Sequence, residues 1–593
     1  MFKTCHNFFQ IFAFIRLRLS TSIYMNDRFS IAAALREIGR LLQVKGDNPF
    51  KSRAYERAAA ALEAFDGDLD VLVQNRRLTE ISAVGAGLAA AIEELHRTGR
   101  SAVLEQLRQE LPPGVVELSV VPGLSLKKIT TLHSALRIEN VADLKTACEK
   151  GLVRNVKGFG EKAETKILET IAKLEKREEW TLLNHALEEG ERLLQHLQTL
   201  PAVLQADIAG SLRRRKETIR RIQIVVASKE PEAVLDHLSR YPAVLQSLER
   251  SGRYCKARLA RGLDGEITVV PPDDYVAALH NLTGSTKHIA KLGELARSKN
   301  ISFGADSLRK NSPKVRVKDE EEIYRRLGMQ YIPPELREDE GEIEAALSGA
   351  LPILVTPEDV QGMTHCHTVY SDGKNTIEEM ALAAEAIGMK YLTITDHSPS
   401  AFYARGVKTD RLKLQWEEIA RVQEKVSIRL LKGTESDILQ DGSLDYPDPI
   451  LEQFDIIIAS IHVRAKMDID QMTRRILGAM KSPFFKIWGH PLGRLILSRP
   501  PLECHMEEIL DAVAESAAAI EVNGDPRRLD LEPRWIRAAR QRRIKFIIST
   551  DAHSTKNLAN LRYGVFMARR GWLSRGEVLN IRNVDDFMKA VHP

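Results

Sequence analysis

From residue 361 on, nearly every short apolar run of this chain ends in a histidine, an aspartate or a glutamate. In order the runs are DVQGMTHCHTVYSDG (Asp359 to Gly373), YLTITDHS (Tyr391 to Ser398), IRLLKGTESDIL (Ile428 to Leu439), FDIIIASIHV (Phe454 to Val463), FKIWGHP (Phe485 to Pro491), AAIEVNG (Ala518 to Gly524) and FIISTDAHS (Phe546 to Ser554). They supply nine candidate ligands: His365, His367, Asp372, His397, Glu435, His462, His490, Asp551 and His553. On an extended strand His365 and His367 share a face while Cys366 points the other way, and Asp551 and His553 repeat that geometry. Imidazole and carboxylate without thiolate suit Zn2+, Mn2+ or Fe2+. The nine groups could hold three such ions at three protein ligands each. One strand-end histidine is more often structural than catalytic, but this many at successive strand ends of a metal-free protein would bury unpaired polar groups together.

The elements that must position these groups alternate. Between the apolar runs lie helical stretches such as IEEMALAAEAIGM (Ile377 to Met389) and MEEILDAVAESAA (Met506 to Ala518). Strand and helix in alternation, with polar groups at the strand C-termini, predict an α/β barrel of seven strands with its site at that face. An acidic segment, REDEGEIEAALSGALP (Arg337 to Pro352), reads as a linker before it.

The front of the chain is different. From Phe29 to about Glu178 the pattern is helical, with three turns of one layout: SAVGAGLAAAIEEL (Ser82 to Leu95), VPGLSLKKITTL (Val121 to Leu132) and VKGFGEKAETKIL (Val156 to Leu168). Each places glycine just before a helix: Gly85 and Gly87 in the first, Gly123 in the second, Gly158 and Gly160 in the third. Backbone N–H groups and the positive end of the helix dipole then face the guest, for which phosphate is the natural partner. Lys127 and Lys162 follow two of the turns. Such hairpins in series grip a nucleic-acid backbone without reading bases.

Composition sets the outer bounds. At 593 residues the chain exceeds one core and divides into several domains. With 44% apolar and 28% charged residues and a net charge of +5, it is an ordinary globular protein that tolerates a polyanionic partner without requiring one. Its five cysteines are scattered with no C-x-x-C pair, which fits a reducing compartment, here the cytoplasm. Residues 1–24 contain lysine and arginine but no acid, and are expected to be an extension, with Met25 the functional start. No segment is long and apolar enough to span a bilayer.

VKGDNPFKSRAYERAAAALE (Val44 to Glu63), the three hairpins, AGSLRRRKETI (Ala209 to Ile219), VVPPDDYVAALHNLTGSTKH (Val269 to His288) and YIPPELRE (Tyr331 to Glu338) together resemble the bacterial family X DNA polymerases. In that family two strand aspartates and a third on a neighbouring strand hold two Mg2+ ions for nucleotidyl transfer. Carried over, Gly210 and Ser211 keep the triphosphate-side turn, while the three aspartate positions fall on Arg221, Gln223 and Glu266. A cation and a neutral amide replace two anions, so Mg2+ is not expected there. The basic run Arg213, Arg214, Arg215, Lys216, Arg220 and Arg221 is either a DNA contact or a solvated face.

The C-terminal region in turn resembles the PHP (polymerase and histidinol phosphatase) domain, whose HxH, SDG, TDH, strand-end Glu, SxH, GHP and TDAH motifs occur in order with every ligand in place. That resemblance implies metal-dependent attack of water on phosphorus, with Asp396 and Arg494 orienting ligands or phosphate. The expected organisation is multidomain α and α/β. It comprises an extension (1–24), a helical DNA-binding domain (25–100), a second helix-hairpin-helix domain (101–178), an α+β nucleotidyltransferase-like palm with thumb (179–335), a linker (336–360) and a distorted (β/α)7 PHP barrel (361–593). Three functions stay open: a 3′ to 5′ exonuclease or phosphoesterase of DNA repair that no longer polymerises, a gap-filling polymerase, and a DNA-binding scaffold with structural metals. The expected partner is gapped, nicked or 3′-recessed DNA, and the expected state a monomer.

Overall fold

The computed structural model describes residues 28–591 except 66–68, 99, 112–114, 120, 122–123, 139, 177–179, 242, 260–261, 300, 302–316, 465 and 517. The expected extension and Met25 lie outside the described residues. The chain packs as two compact units. One takes the chain up to residue 179 with Asp236–Arg250 and Cys255–Gly265; the other takes Trp180–Leu235, Ser251–Tyr254 and everything from Glu266 on.

The first unit opens on paired helices, Arg28–Lys45 and Pro49–Ala64. Ile31, Leu35, Ile38 and Leu42 recur at helical spacing on the first and are buried with Ala58, Ala59 and Leu62 of the second. Asn48 caps the second helix by accepting from the Phe50 N–H, with Pro49 at the first helical position.

The second unit begins with the helix Leu183–Gln198 and an antiparallel pair, Gln205–Ala209 and Arg221–Ala227, in a register that sets Ala209 opposite Gln223. Helices Thr286–Ser298, Glu320–Arg326 and Glu342–Ser348 follow and bury Leu292, Ile323, Leu327, Ile343 and Ala346 together. The last of these helices lies in the acidic stretch read as a linker. It packs because Ile343 and Ala346 fall on one face, and its buried Glu342 is 2.6 Å from His288 Nδ1.

Seven parallel strands then run in sequential order: β1 (Gly362–Met363), β2 (Tyr391–Ile394), β3 (Arg429–Asp437), β4 (Ile456–Ser460), β5 (Ile487–Trp488), β6 (Ala519–Asn523) and β7 (Lys545–Ser549). A parallel bridge between Cys366 and Ala552, just past β1 and β7, joins the two ends of the sheet at the C-terminal face. Buried on both sides, these strands read as continuous apolar runs, as in the IIIAS of β4. Tyr391, Leu431, Ile456, Ile458, Ile487 and Ile547 form a core on which the final helix, Val584–Val591, packs Phe587 and Val591.

Within this unit the first three arginines of the basic run are engaged, while Arg220 is exposed. Arg213 makes a bidentate ion pair with Glu320 (2.9 and 2.6 Å), Arg214 pairs with Glu338 (2.9 Å), and Arg215 lies over the Phe566 ring at 4.4 Å. Glu217, which closes the run, accepts from Arg570 on the barrel helix Leu561–Arg570 at 2.5 Å, with Arg494 at 3.8 Å. These charges pin the palm-like segment to the barrel. Burial pushes the Glu217 carboxyl up, but the Arg570 and Arg494 guanidinium groups outweigh it and hold it at about 2, against an ordinary 4.5.

A carboxyl depressed on folding stabilises the fold above its ordinary value and loses that contribution as pH falls toward its folded one. Glu217→Gln is therefore expected to cost about 3 kcal/mol at pH 7. In paired thermal melts the gap between wild type and variant narrows once the pH drops below 4.5. A gap that stays constant from pH 7 to pH 3 contradicts this.

Candidate metal centre

The strand ends bring the nine expected ligands to one face of the barrel. His365 and His367 leave β1, His397 follows β2, Glu435 is on β3, His462 follows β4, His490 follows β5, and Asp551 and His553 follow β7. Asp372 arrives on the loop after β1. As the alternation requires, Cys366 turns away, its Sγ 3.1 Å from the Thr393 carbonyl oxygen. The glycine of the GHP run is forced by space, since a Cβ on Gly489 would lie 2.2 Å from Ser460 Oγ. His490 (φ 24°) and Asp551 (φ 50°) hold left-handed backbone that side chains disfavour, a strain that collects at functional sites.

Eight of the nine fall into three overlapping groups whose ligand atoms lie within 4.8 Å of one another: His367, Asp372, His397 and His553; His365, His367 and Asp551; His397, Glu435 and His462. His490 stands beside them, its Nε2 2.7 Å from Glu435 Oε1. The donor set fits divalent cations by a direct test. His365 Nε2, His367 Nδ1, Asp372 Oδ1, His397 Nδ1, Glu435 Oε2 and His462 Nε2 are all buried without an aligned hydrogen-bond partner. Buried polar atoms are normally satisfied, and six orphans on the residues of these three groups match a site built for positive ions.

Electrostatics agree. Burial, reinforced by the neighbouring His553 and His397, pulls His367 down to about 3, so it is a neutral donor. Burial pushes the Glu435 and Asp551 carboxyls up, but the surrounding imidazoles, and Arg528 at Asp551, overcome this and hold both well below the usual range.

Several functional groups escaped the sequence reading. Glu521 on β6 takes His365 Nδ1 at 2.6 Å, Ser549 Oγ at 2.6 Å and the His490 backbone N–H at 2.6 Å. Asp437 takes His462 Nδ1 at 3.2 Å. Each fixes the tautomer that turns Nε2 toward the centre. The signal was present, since Glu521 ends one of the seven apolar runs and Asp437 shares the strand face of Glu435. Arg528 gave no signal, because it lies in the turn after β6 with its Nε 3.0 Å from Asp551 Oδ2.

The two supporting residues act at a remove. Asp396 accepts from the Thr368 N–H (2.7 Å), Thr368 Oγ1 (2.6 Å), Ser371 Oγ and Gln415 Nε2 (2.7 Å), and so holds the loop that delivers Asp372. Arg494 donates to the Arg528 carbonyl (2.8 Å), the Leu529 carbonyl and Glu532 (2.8 Å). Its guanidinium braces a turn rather than reaching into the centre.

At the palm-like site Glu266, on the strand Asp264–Val270, is already engaged: Arg221 Nη1 is 3.1 Å from Oε1 and Gln223 Nε2 donates to Oε2 at 3.0 Å. Gly210 (φ 64°) keeps its turn, and a Cβ there would lie 2.2 Å from Gln223 Oε1. Ser211 follows it in the short helix Gly210–Arg213.

In the first unit, two hairpins share the same spacing of elements. A 3-10 turn ends at Glu80 and the helix Ala86–Thr98 begins after a gap of the same length as that between Asn155 and the helix Glu161–Lys176. This pairs Gly85 with Gly160, and Ala83 (φ 62°) with Gly158 (φ 91°). Gly87 therefore sits inside its helix, at the place of Lys162, and is not the second turn glycine. In the middle copy Ser125 caps the helix Leu126–Leu136, whose second residue is Lys127. Gly123 lies outside the described residues.

A sequential parallel barrel with a histidine and carboxylate centre at its C-terminal face defines the PHP class, and the PHP domain model matches residues 364–524. The helix-hairpin-helix domain model matches residues 26–101 and the DNA polymerase beta thumb model residues 278–338. Over 564 residues, 94% of this chain and 98% of the relative, the sequence is 34% identical to the DNA polymerase/3'-5' exonuclease PolX of Bacillus subtilis (strain 168). The chain belongs to the PolX family, bacterial family X DNA polymerases that carry a PHP domain. It is also 29% identical over 240 residues to a probable phosphatase of Thermoanaerobacter sp. (strain X514), covering 38% of this chain and 93% of that one. A probable phosphatase of Caldicellulosiruptor bescii is 33% identical over 165 residues, 27% of this chain and 64% of that one.

Because Glu521 touches both His365 and the His490 backbone, Glu521→Gln is expected to weaken divalent-metal binding about 10- to 100-fold, read by Mn2+ titration of the apo protein. Unchanged affinity contradicts the orienting role.

Proposed function

We propose that this protein is a DNA repair enzyme that removes nucleotides from 3′ ends as a metal-dependent 3′ to 5′ exonuclease or phosphoesterase, using the barrel centre, and that its palm-like site no longer extends primers. The observation that carries the reading is the contrast between two acidic sites. Glu435 lies among buried atoms that lack aligned partners, whereas Glu266 is closed by Arg221 and Gln223.

Asp372, His367, His397 and His553 would hold one ion, His365, His367 and Asp551 a second, and His397, Glu435 and His462 a third, with His490 beside Glu435. Bound Mn2+, Zn2+ or Fe2+ supplies Lewis acidity and a water-derived nucleophile at neutral pH. The chain's part is to aim these imidazoles through Glu521 and Asp437, and to keep Asp372 in place through Asp396. The hairpins at Gly85 and at Gly158 and Gly160 present backbone N–H groups at helix starts, with Lys127 and Lys162 in the first turns of their helices. They are assigned to a DNA backbone, gapped, nicked or 3′-recessed. Among the described residues no helix is long and apolar enough to cross a membrane. A monomer acting in the cytoplasm is the simplest form of this reading.

At the palm-like site, two of the three positions that would need anions carry a cation and an amide. Arg221 repels Mg2+, and Glu266 alone cannot replace three carboxylates. The name of the Bacillus subtilis relative includes DNA polymerase, so retained extension is the competing reading.

With a 5′-labelled recessed primer-template, Mn2+ and all four dNTPs, the protein from Met25 onward is expected to shorten the primer. His365→Ala is expected to reduce shortening by at least about 100-fold. Extension by the unmodified protein, lost in Glu266→Ala, contradicts loss of the polymerase site; tight metal and DNA binding without turnover contradicts the nuclease.

A further inference from the structure

Arg528 is the one group at the centre whose chemistry the metal-ligand set does not absorb. It lies in the turn after β6, its side chain only 13% exposed, with Nε 3.0 Å from the Asp551 carboxylate. Nε and Nη1 are both buried with no aligned hydrogen-bond acceptor. A buried guanidinium that leaves donors unmet loses the hydrogen bonds that would offset its desolvation. Asp551, with Asp525, Glu435 and Asp530 around the guanidinium, offsets its charge in part, yet the group also stands beside residues suited to hold cations, and like charges in a low-dielectric site repel. Both difficulties vanish when an anion enters.

The turn is built to hold that guanidinium still. Arg494 donates to the carbonyl oxygens of Arg528 and Leu529 and to Glu532, and the Arg528 N–H donates to the Asp525 carbonyl at 2.8 Å. Leu529 takes left-handed backbone (φ 41°), a conformation that persists only where the surroundings enforce it. The mouth beyond also carries Tyr403, whose ring lies 6.3 Å from those of His397 and His462.

We infer that Arg528 binds non-bridging oxygens of the phosphate group to be cleaved, placing phosphorus over the metal centre. This rests on the phosphoesterase reading above and adds to it a residue that touches substrate. The planar fork of arginine matches two phosphate oxygens at once, whereas an ammonium offers a point charge. Arg528 keeps its protons throughout; its contribution is charge and geometry. Arg494 is then a positioning residue that acts through the Arg528 backbone.

The test uses the full chain loaded with Mn2+, comparing wild type with Arg528→Ala and Arg528→Lys. Metal content is read by elemental analysis, folding by thermal melt, and binding of inorganic phosphate and of thymidine 5′-monophosphate by calorimetry. The expected result is unchanged metal content and a loss of at least about tenfold in affinity for both probes in Arg528→Ala. Arg528→Lys is expected to recover only part of it. Wild-type phosphate affinity in the alanine variant overturns the proposal. So does loss of bound metal from both variants, since Arg528 would then serve only to hold Asp551. If the unmodified protein binds phosphate through Arg528 yet leaves DNA 3′ ends intact, this assignment stands and the exonuclease reading falls.

Discussion

Glu435 is completely buried, and five imidazoles crowd its two oxygens: His490 at 2.7 Å, His397 at 2.9 Å, His462 at 3.2 Å, His365 at 3.5 Å and His367 at 3.6 Å. Removing such an anion from water costs several kcal/mol, which only positive charge or well-aligned donors beside it can offset. Much of the barrel's upper face follows from this constraint. The strand ends converge to deliver ligands, Glu521 and Asp437 lie behind the histidines to aim them, and Asp396 ties down the loop that brings Asp372.

The palm-like site solves the same problem in the opposite way. Each oxygen of Glu266 accepts from a side chain of its own chain, Arg221 at Oε1 and Gln223 at Oε2. Of the arginines before it, which in isolation suggest a path for DNA, Arg213 and Arg214 form ion pairs with Glu320 and Glu338, and Glu217 locks onto Arg570. Arg213 and Arg214 thus spend their charge on partners that precede the barrel, while Glu217 ties the palm-like segment to Arg570 and Arg494 of the barrel.

The barrel was legible because its signals are local. Strand period, helical period and a polar residue at each strand end are all readable over ten residues, and the seven strands appear where that reading put them. What stayed hidden depends on partners far apart in sequence. The pairing of Arg213 with Glu320, and the bracing of Arg528 by Arg494, join residues that no periodicity relates. The acidic stretch read as a linker failed for a related reason: its charges dominate the composition, while two small apolar contacts, Ile343 and Ala346, decide its fate. In the first hairpin a left-handed alanine, Ala83, occupies the place where glycine was sought, which shifted the reading onto Gly87.

The central claim is that the cations belong to the barrel and not to the palm. Anomalous scattering from crystals of the protein soaked in Mn2+ tests it most directly. The account predicts three peaks among His365, His367, Asp372, His397, Glu435, His462, Asp551 and His553, and none beside Glu266. A manganese peak at Glu266, or a barrel centre without metal, would contradict it.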